Sequence, residues 1–551
     1  MTKNKLYLSL FLTALIFMAG CHRKAGNLIR YVNPLIGTGP STSPNVINHY
    51  PRPEVWGQDI PAVSTPFGMT QWTPQTRDAE DKGVSPYYYG GLRIFGFRGT
   101  HWQGSSTTQD YGSLTIMPIT GYLRTFGNER ASGFSHDSEI TTPAYYSCML
   151  LNYLTLVEMT GTARSGFFKF SYIKKDKGYV LIIPNSDTGK GYIKVDPDKQ
   201  EIYGYNPVEG IFRTPGQSAG FSGYFVVRFK RPMDNYGCYF QMEDLKKQTE
   251  ISGNPNIGAY AEFNVKEGDV ILAKVGTSFT SIESARANMD AEIPQWDFQK
   301  TRTETEHVWN DALSAIQLEG GKIEDYTKFY TALYHSMLYP RTFSDVDGSY
   351  PDFKGNKLTH KIDQGHVYYD DFSLNDSRNV QLSLIRLIAP DKYEDMQKSS
   401  VLKSQQGGWM PDSILSKSHF PYLYDHLNST DETQNIVKSK LESEYSIFDG
   451  GIPGNDDSGL TSAWYVFSAM GLYPVSPGSA EYQLSSPIFN KVELNLNPKY
   501  YPGKQFKMTV ADPNTYHTFN QAELNGEKIP FKLKHEDIRK GGRLKFTNSE
   551  K

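Results

Sequence analysis

The period of the hydrophobic pattern changes near Ser281, and that change restricts the chain to a sheet-rich part followed by a helical one. From about residue 28 to 280, β-branched and aromatic runs dominate: Leu114–Met117, Tyr179–Ile183, Tyr224–Phe229 and Val270–Val275. Clusters of Gly, Pro, Asn and Asp separate them. Many short strands with turns between them predict an antiparallel β-sandwich over 28–280. Beyond Ser281 the apolar residues recur at helical spacing. Ser281 is placed to cap a helix running through Ala285 to Ala291. Pro294 is placed to open a second, with Trp296, Trp309, Leu313 and Ile316 among its apolar positions. Residues 281–320 therefore read as a helical linker. Further helices are predicted near 324–340, 377–388, 391–406, 431–443 and 458–471. From Leu494 to Lys551 the text is strand-like again, with Phe506–Val510 as a strand and Asn525-Gly526 as a hairpin turn.

A chain of 551 residues has room for two or more domains with sizeable cores. Its net charge of −3 offers no electrostatic footprint for nucleic acid. No P-loop or dinucleotide fingerprint is present. Aromatic residues reach 13%, which suits sugar-stacking platforms as well as sandwich cores. At the start, Lys3 and Lys5 precede an apolar run from Leu6 to Ala19, too short to span a bilayer. The run ends Met18-Ala-Gly-Cys21, which resembles a bacterial lipoprotein signal. Residues 1–21 are then a signal peptide with Cys21 as the lipidated residue. The lipid would be the chain's one membrane contact, on a periplasmic or cell-surface face. Cys148 and Cys238 make neither a disulfide framework nor a zinc site, and whether they pair stays open.

The segment with the most chemistry is Gly450-Gly-Ile-Pro-Gly-Asn-Asp-Asp-Ser-Gly459, running into the apolar stretch Leu460–Pro474. A glycine-rich loop carries Asp456 and Asp457 to the start of a helix. Glycine permits unusual dihedrals and close approach, and a helix N-terminus favours the ionised carboxylate. Such a carboxylate suits a general base or a hard-cation ligand. It equally suits an N-cap with a spare acid.

This loop resembles the catalytic-base segment of glycoside hydrolase family 92, whose members are calcium-dependent, inverting exo-α-mannosidases. Further segments resemble the same family in order along the chain: Tyr31–Gly39, Thr65–Trp72, Gly96–Trp102, Asp110-Tyr-Gly112, Glu158–Gly161, Phe329–His335 and Phe343–Gly348. The resemblance implies an N-terminal β-sandwich, the helical linker, an (α/α)6-type barrel over 321–485, and C-terminal strands over 486–551 returning to a β domain. It implies removal of terminal α-linked mannose from glycans, with Ca2+ as cofactor. Asp457 is the implied general base and a water-mediated calcium contact. Asp456 reads as a structural or supporting group. Asn455 stands where family members can carry a second acid; it can hold a water but not take a proton. Asp376 matches an aspartate that binds mannose hydroxyls, though Asn375 replaces the tryptophan before it, and an N-cap for the helix near Ser377 fits as well. Trp409 can stack on a sugar or sit in a core. His101 and Trp102 lie in a loop that the resemblance places over the site, and a structural role for His101 is the alternative. Asp110 and Gly112 read as the turn before a strand.

The barrel is short. Twelve helices with their connections need on the order of 200 residues, and about 150 are available, with about five helices legible in them. The gap falls at 412–418, between Gln405–Pro411 and Ser418–Tyr424. The family's general-acid glutamate, in a Thr-Glu-Gly-Asn-like motif, belongs to the stretch that is missing. Of the family's Asn-Glu-Pro segment and histidine pair, only His419 is left. Two alternatives to a working mannosidase follow: a degenerate, glycan-binding or non-catalytic lipoprotein, or a gene model that dropped an internal segment. A proton donor contributes roughly 10²–10⁴-fold, so its absence bears directly on turnover.

Overall fold

The computed structural model describes residues 27–548 except 50–57, 78–83, 103–109, 186–188, 210–217, 353–357, 372–377, 406–429, 457, 475–479, 512 and 514–517. The predicted sandwich is present. A seven-stranded antiparallel sheet runs in the order 71–75, 96–100, 114–120, 176–183, 257–265, 235–240, 243–246. A nine-stranded sheet contains the long strands Ser218–Phe229, Val270–Ser278 and Ser165–Tyr172 side by side. Their facing sides bury Trp72, Phe97, Met117, Phe168, Phe170 and Leu181 in one core. Trp72 determines its neighbours: a Cβ on Gly161 or Gly166 would fall 2.7 or 2.4 Å from its indole atoms. Cys148 and Cys238 are free and buried in this core, where burial pushes the Cys238 thiol up to about 12. Gly216-Gln-Ser-Ala-Gly220 has the spacing of a hydrolase nucleophile elbow. Ser218, however, opens a long strand, whereas the elbow requires a sharp turn from a strand into a helix.

The linker forms two helices, α1 (Ile282–Glu292) and α2 (Phe298–Leu313). Ser281 caps α1, accepting from Ser284 N at 3.0 Å. The second helix starts later than Pro294, because Asp297 is the residue that caps it, accepting from Lys300 N at 2.9 Å. Trp309 on α2 donates from Nε1 to Ser64 O at 2.5 Å, and Thr305 donates to Gly161 O at 2.9 Å, so the linker is fastened to the sandwich. The last part of the linker is not helical. Ile316–Glu319 pairs antiparallel with 491–494, which makes it the edge of a six-stranded C-terminal sheet completed by 505–510, 542–547, 521–524 and 527–529. Asn525 and Gly526, both at positive φ, form the predicted hairpin turn.

Between these sheets lie α3 (Ile323–His335), α4 (Arg378–Ile388), α5 (Pro390–Gln405), α6 (Thr430–Ser443) and α7 (Leu460–Met470). These are the five helices expected, within a few residues. The exception is α3, which stops at His335 rather than 340; Pro340 disfavours helical backbone at the residue before it. Every residue of α7 from Ser462 to Met470 is buried, and a helix apolar on all sides belongs at the centre of a core. Phe329 and Leu333 of α3, Leu384 of α4, Tyr465 and Phe467 of α7, and Phe506 and Leu544 of the C-terminal sheet share that core.

Candidate active site

The site is assembled where three distant segments meet. The first is Gly37–Ser43. Gly37 N and Gly39 N both donate to Asp449 O, at 2.7 and 3.1 Å, and Thr42 N donates to Gly450 O at 2.9 Å. Ser41 Oγ donates to Ile452 O at 2.7 Å and accepts from Gly454 N at 3.2 Å. The glycine loop before α7 is thus laced to the start of the chain. The second segment is 58–67, held to the end of α3: Tyr334 donates to Ala62 O at 2.7 Å, and Phe67 N to Met337 O at 2.7 Å. The third is the loop itself. Its last residues, Ser458 and Gly459, take positive φ of 63° and 83° before α7 begins, a conformation costly for serine and free for glycine.

At their meeting point stand Asp59, His335 and Asp456, with one ligand-type atom of each within 4.8 Å of the others. Asp456 is 1% exposed and is fixed at the helix start: Ser462 N donates to Oδ1 at 2.8 Å and Ser462 Oγ to Oδ2 at 2.6 Å. This is a cap made by a carboxylate from the preceding loop. His335, the last residue of α3, has Nδ1 3.8 Å from Asp456 Oδ2 and 3.4 Å from Ser462 Oγ. Its Nε2 is buried without a hydrogen-bond partner among the described residues, and burial lowers its pKa to about 3, leaving a neutral imidazole. Asp59 is partly exposed. Its pKa is pushed well above the usual carboxylate range by burial and then by the Asp456 charge. Gly37 makes room for it: a Cβ there would lie 2.0 Å from Asp59 Oδ2.

Asp457, Asp376, Trp409, His419 and Cys21 lie outside the described residues. The positions on either side of Asp457 are described. Asn455 keeps its Oδ1 buried and, among the described residues, without a partner. The segment leading to Asp376 leaves from Asp371, which accepts from Arg341 Nε at 2.8 Å and from Tyr111 at 2.6 Å. His101 and Trp102 are described and buried, at 2% and 0% exposure. Both ring nitrogens of His101 are engaged, Nδ1 with Tyr111 O at 2.6 Å and Nε2 with Thr70 Oγ1 at 3.1 Å. Burial, with Arg341 nearby, lowers its pKa to about 4. Trp102 donates from Nε1 to Gln58 O at 2.6 Å, and its carbonyl accepts from Tyr339 at 2.7 Å and Arg341 at 3.0 Å. In this arrangement the two residues brace the wall formed by 58–59 and 339–341. Asp110 holds the turn as read, accepting from His101 N at 2.8 Å and pairing with Arg98 at 3.2 Å.

Asp59 and His335 were not singled out by sequence reasoning. His335 ends the quoted segment Phe329–His335, but nothing in that segment marks its histidine as different from a core residue. Asp59 has no local signal; only its closeness to Asp456 distinguishes it. As donors toward a cation, the oxygens of Asp59 and Asn455 are of the hard kind calcium takes, whereas the His335 nitrogen is not. The orphaned Asn455 Oδ1 is the observation that best fits a calcium ion or a bound hydroxyl at this loop.

Comparison with known proteins agrees with this architecture. The family profile described as the glycosyl hydrolase family 92 N-terminal domain matches residues 31–278. The profile of the family 92 catalytic domain matches in two stretches, 284–419 and 416–550, which meet beside the junction where the barrel reads as short. A family GH92 inverting mannosidase from Bacteroides thetaiotaomicron superposes with a TM-score of 0.79 at 22% identity, over 94% of this chain and 96% of that one. A GH92 α-mannosidase from the same organism, also solved with mannoimidazole, gives 0.80 at 20% identity over 95% of each. A protein of Arthroderma benhamiae named as an uncharacterized secreted glycosidase is 23% identical over 348 residues, 58% of this chain. The chain spans only 42% of the length of that relative. With both family domains matched across nearly the whole described chain, the protein belongs to glycosyl hydrolase family 92.

Proposed function

We propose that this chain is an exo-acting α-mannosidase that removes terminal mannose from glycans with inversion, using Asp457 as general base and calcium as cofactor. The observation that carries the reading is the anchoring of the loop before α7. Asp456 is spent on Ser462, and the backbone from 449 to 454 is bonded to residues 37–42. The next carboxylate, Asp457, therefore follows directly on a fixed residue. A base that must meet a water on one face of a sugar needs that fixity. Calcium, when bound, would hold the sugar's vicinal hydroxyls and favour ring distortion; Asp457 and the Asn455 Oδ1 are the groups that would hold it. His335, held neutral by burial, and Asp59 stand beside Asp456. Asp376 and Trp409 are assigned to the mannose subsite, and Cys21 to a lipid anchor on the outer side of a bacterial membrane. No helix of the described residues is long and apolar enough to cross a membrane.

A second reading rests on the break in the family match at 416–419. It keeps the base and cation but lacks the proton donor. Both are tested by mannose release from an α-mannobiose and from an aryl α-mannoside whose leaving group needs no proton, with calcium and with chelator. Turnover of both, lost on chelation and in Asp457→Asn, supports the mannosidase. Turnover of the aryl substrate alone supports the second reading. No turnover of either refutes both and leaves a non-catalytic family member.

A further inference from the structure

The sandwich carries a cavity of about 200 Å³, lined by Gln75, Phe126, Arg130, Gln241 and Asn256 among others. It lies away from the Asp456 loop. Gln71, at one end of strand 71–75, donates to Leu338 O beside the candidate active site. Gln75, at the other end, lines the cavity, and four residue steps of extended chain separate the two by roughly 13 Å.

Arg130 is the unusual member. It is 7% exposed. Its Nε donates to Phe95 O at 3.3 Å and its Nη1 to Thr125 O at 2.7 Å. Among the described residues no acceptor meets Nη2 and no carboxylate pairs with the guanidinium. A largely desolvated cation without an anion is costly, and carbonyl dipoles offset only part of that cost. The neighbourhood does not compensate. Arg93 and Arg124 stand on the adjoining segments, where they bond to backbone carbonyls at Asn128, Ala131 and Thr120. Glu129 is exposed on the short helix Gly127–Arg130.

Two neutral amides at the rim are unspent among the described residues. The side-chain amides of Gln241 and Asn256 make no hydrogen bond with the described residues, while their backbones are fixed by Gln241 N donating to Asn256 O at 3.0 Å and by Thr125 Oγ1 donating to Gln241 O. Phe126 presents its ring at the rim, 42% exposed. An aromatic face takes the C–H face of a sugar ring, amides take hydroxyls, and a guanidinium with a free edge takes an oxyanion. We propose that this cavity binds an anionic sugar residue, a uronate or a sugar phosphate, at a site separate from the Asp456 loop. A neutral hexose leaves Arg130 without its partner, and a free anion leaves Phe126 and the amides without theirs.

The test is titration of the full chain, by calorimetry and saturation-transfer NMR, with glucuronate, mannose 6-phosphate, mannose and inorganic phosphate. Saturable binding of either acidic sugar is expected, with mannose and phosphate weaker by roughly tenfold or more, the worth of one charge-assisted bond. Binding of one acidic sugar and not the other identifies the anion. Arg130→Gln should abolish binding. Because Arg130 also ties two carbonyls, the exposed double variant Gln241→Ala/Asn256→Ala and Phe126→Ala decide the matter if Arg130→Gln unfolds; each should weaken binding by roughly tenfold. The proposal is overturned by the absence of saturable binding of both acidic sugars. Mannose or phosphate binding equally well overturns it too, as do affinities unchanged in the exposed variants.

Discussion

Gly37→Ala tests the way the site is built. Gly37 has φ of +85°, and a Cβ there would lie 2.0 Å from Asp59 Oδ2, 2.9 Å from its Cγ and 2.8 Å from Ile452 Cδ1. A left-handed backbone costs an L-residue about 1–2 kcal/mol, and forcing atoms into filled space costs about 1–3 kcal/mol. The stiffer unfolded chain returns about 0.4–1 kcal/mol. The expected destabilisation is therefore about 3 kcal/mol. Most of the steric part belongs to Asp59. Asp59→Ala removes the two carboxyl atoms nearest the new methyl and leaves the backbone cost and Ile452. A double-mutant cycle should then show a coupling of about 1–3 kcal/mol between positions 37 and 59. Asp59→Ala alone should stabilise at neutral pH, since it removes a carboxyl whose ionised form is opposed by burial and by Asp456. Gly39→Ala is the control. Its Cβ would meet Asp449 Oδ2 at 1.8 Å, but no positive φ adds to the cost. The assay is urea unfolding at fixed calcium, followed by tryptophan fluorescence, with transitions of a multidomain chain read separately. Trp309 and Trp464 report from the helical core and Trp72 from the sandwich. The reasoning is refuted if Gly37→Ala stays within about 0.5 kcal/mol of wild type, or if Asp59→Ala fails to relieve it.

Stability should depend on pH with two opposite signs. Burial holds His101 at about 4 and His335 at about 3, against about 6.5 in the unfolded chain. Their contribution is full above about pH 6.5 and is lost as pH falls toward those folded values. Asp59, raised in the fold, contributes fully below about pH 4, and that contribution is lost as pH rises through its folded value. Urea midpoints from pH 3 to 9 should show both arms, and Asp59→Asn should remove only the loss on the alkaline side. Arg341→Met removes the buried cation that pairs with Asp371 and donates to the carbonyls of His101 and Trp102. It should cost about 3–5 kcal/mol in the same unfolding assay. Ser462→Ala removes the hydroxyl that holds Asp456 Oδ2 at 2.6 Å and should cost about 1.5–3 kcal/mol. Aryl-mannoside turnover should fall with it, because the loop carrying Asp457 is loosened; unchanged turnover at reduced stability would separate anchoring from catalysis.

Local chemistry decided much of this protein. β-Branched runs such as Tyr179–Ile183 became strands, Ser281 became a cap, and Asn525-Gly526 became a hairpin turn, because each rests on neighbours within a few residues. The same holds for α7, whose uninterrupted apolar text placed it at the centre of the core. The motif pattern carried the family assignment for the same reason: its segments are contiguous and ordered. What sequence alone left open depends on groups brought together from far apart. Ile316–Glu319 reads like the tail of a helical linker, yet it is a strand, because its partner is 491–494. Asp456 offered two readings, cap or chemistry, and only the position of Ser462 made it a cap. Asp59 and His335 carry no periodic or spacing signal; they matter because Gly37 leaves room for a carboxyl beside Asp456. Arg130 is one arginine among many in the sequence, and it is set apart by burial with no anion beside it among the described residues. Short-range preference is written into adjacent residues, whereas burial, charge pairing and close approach are properties of the assembled surface, which only the tertiary structure determines.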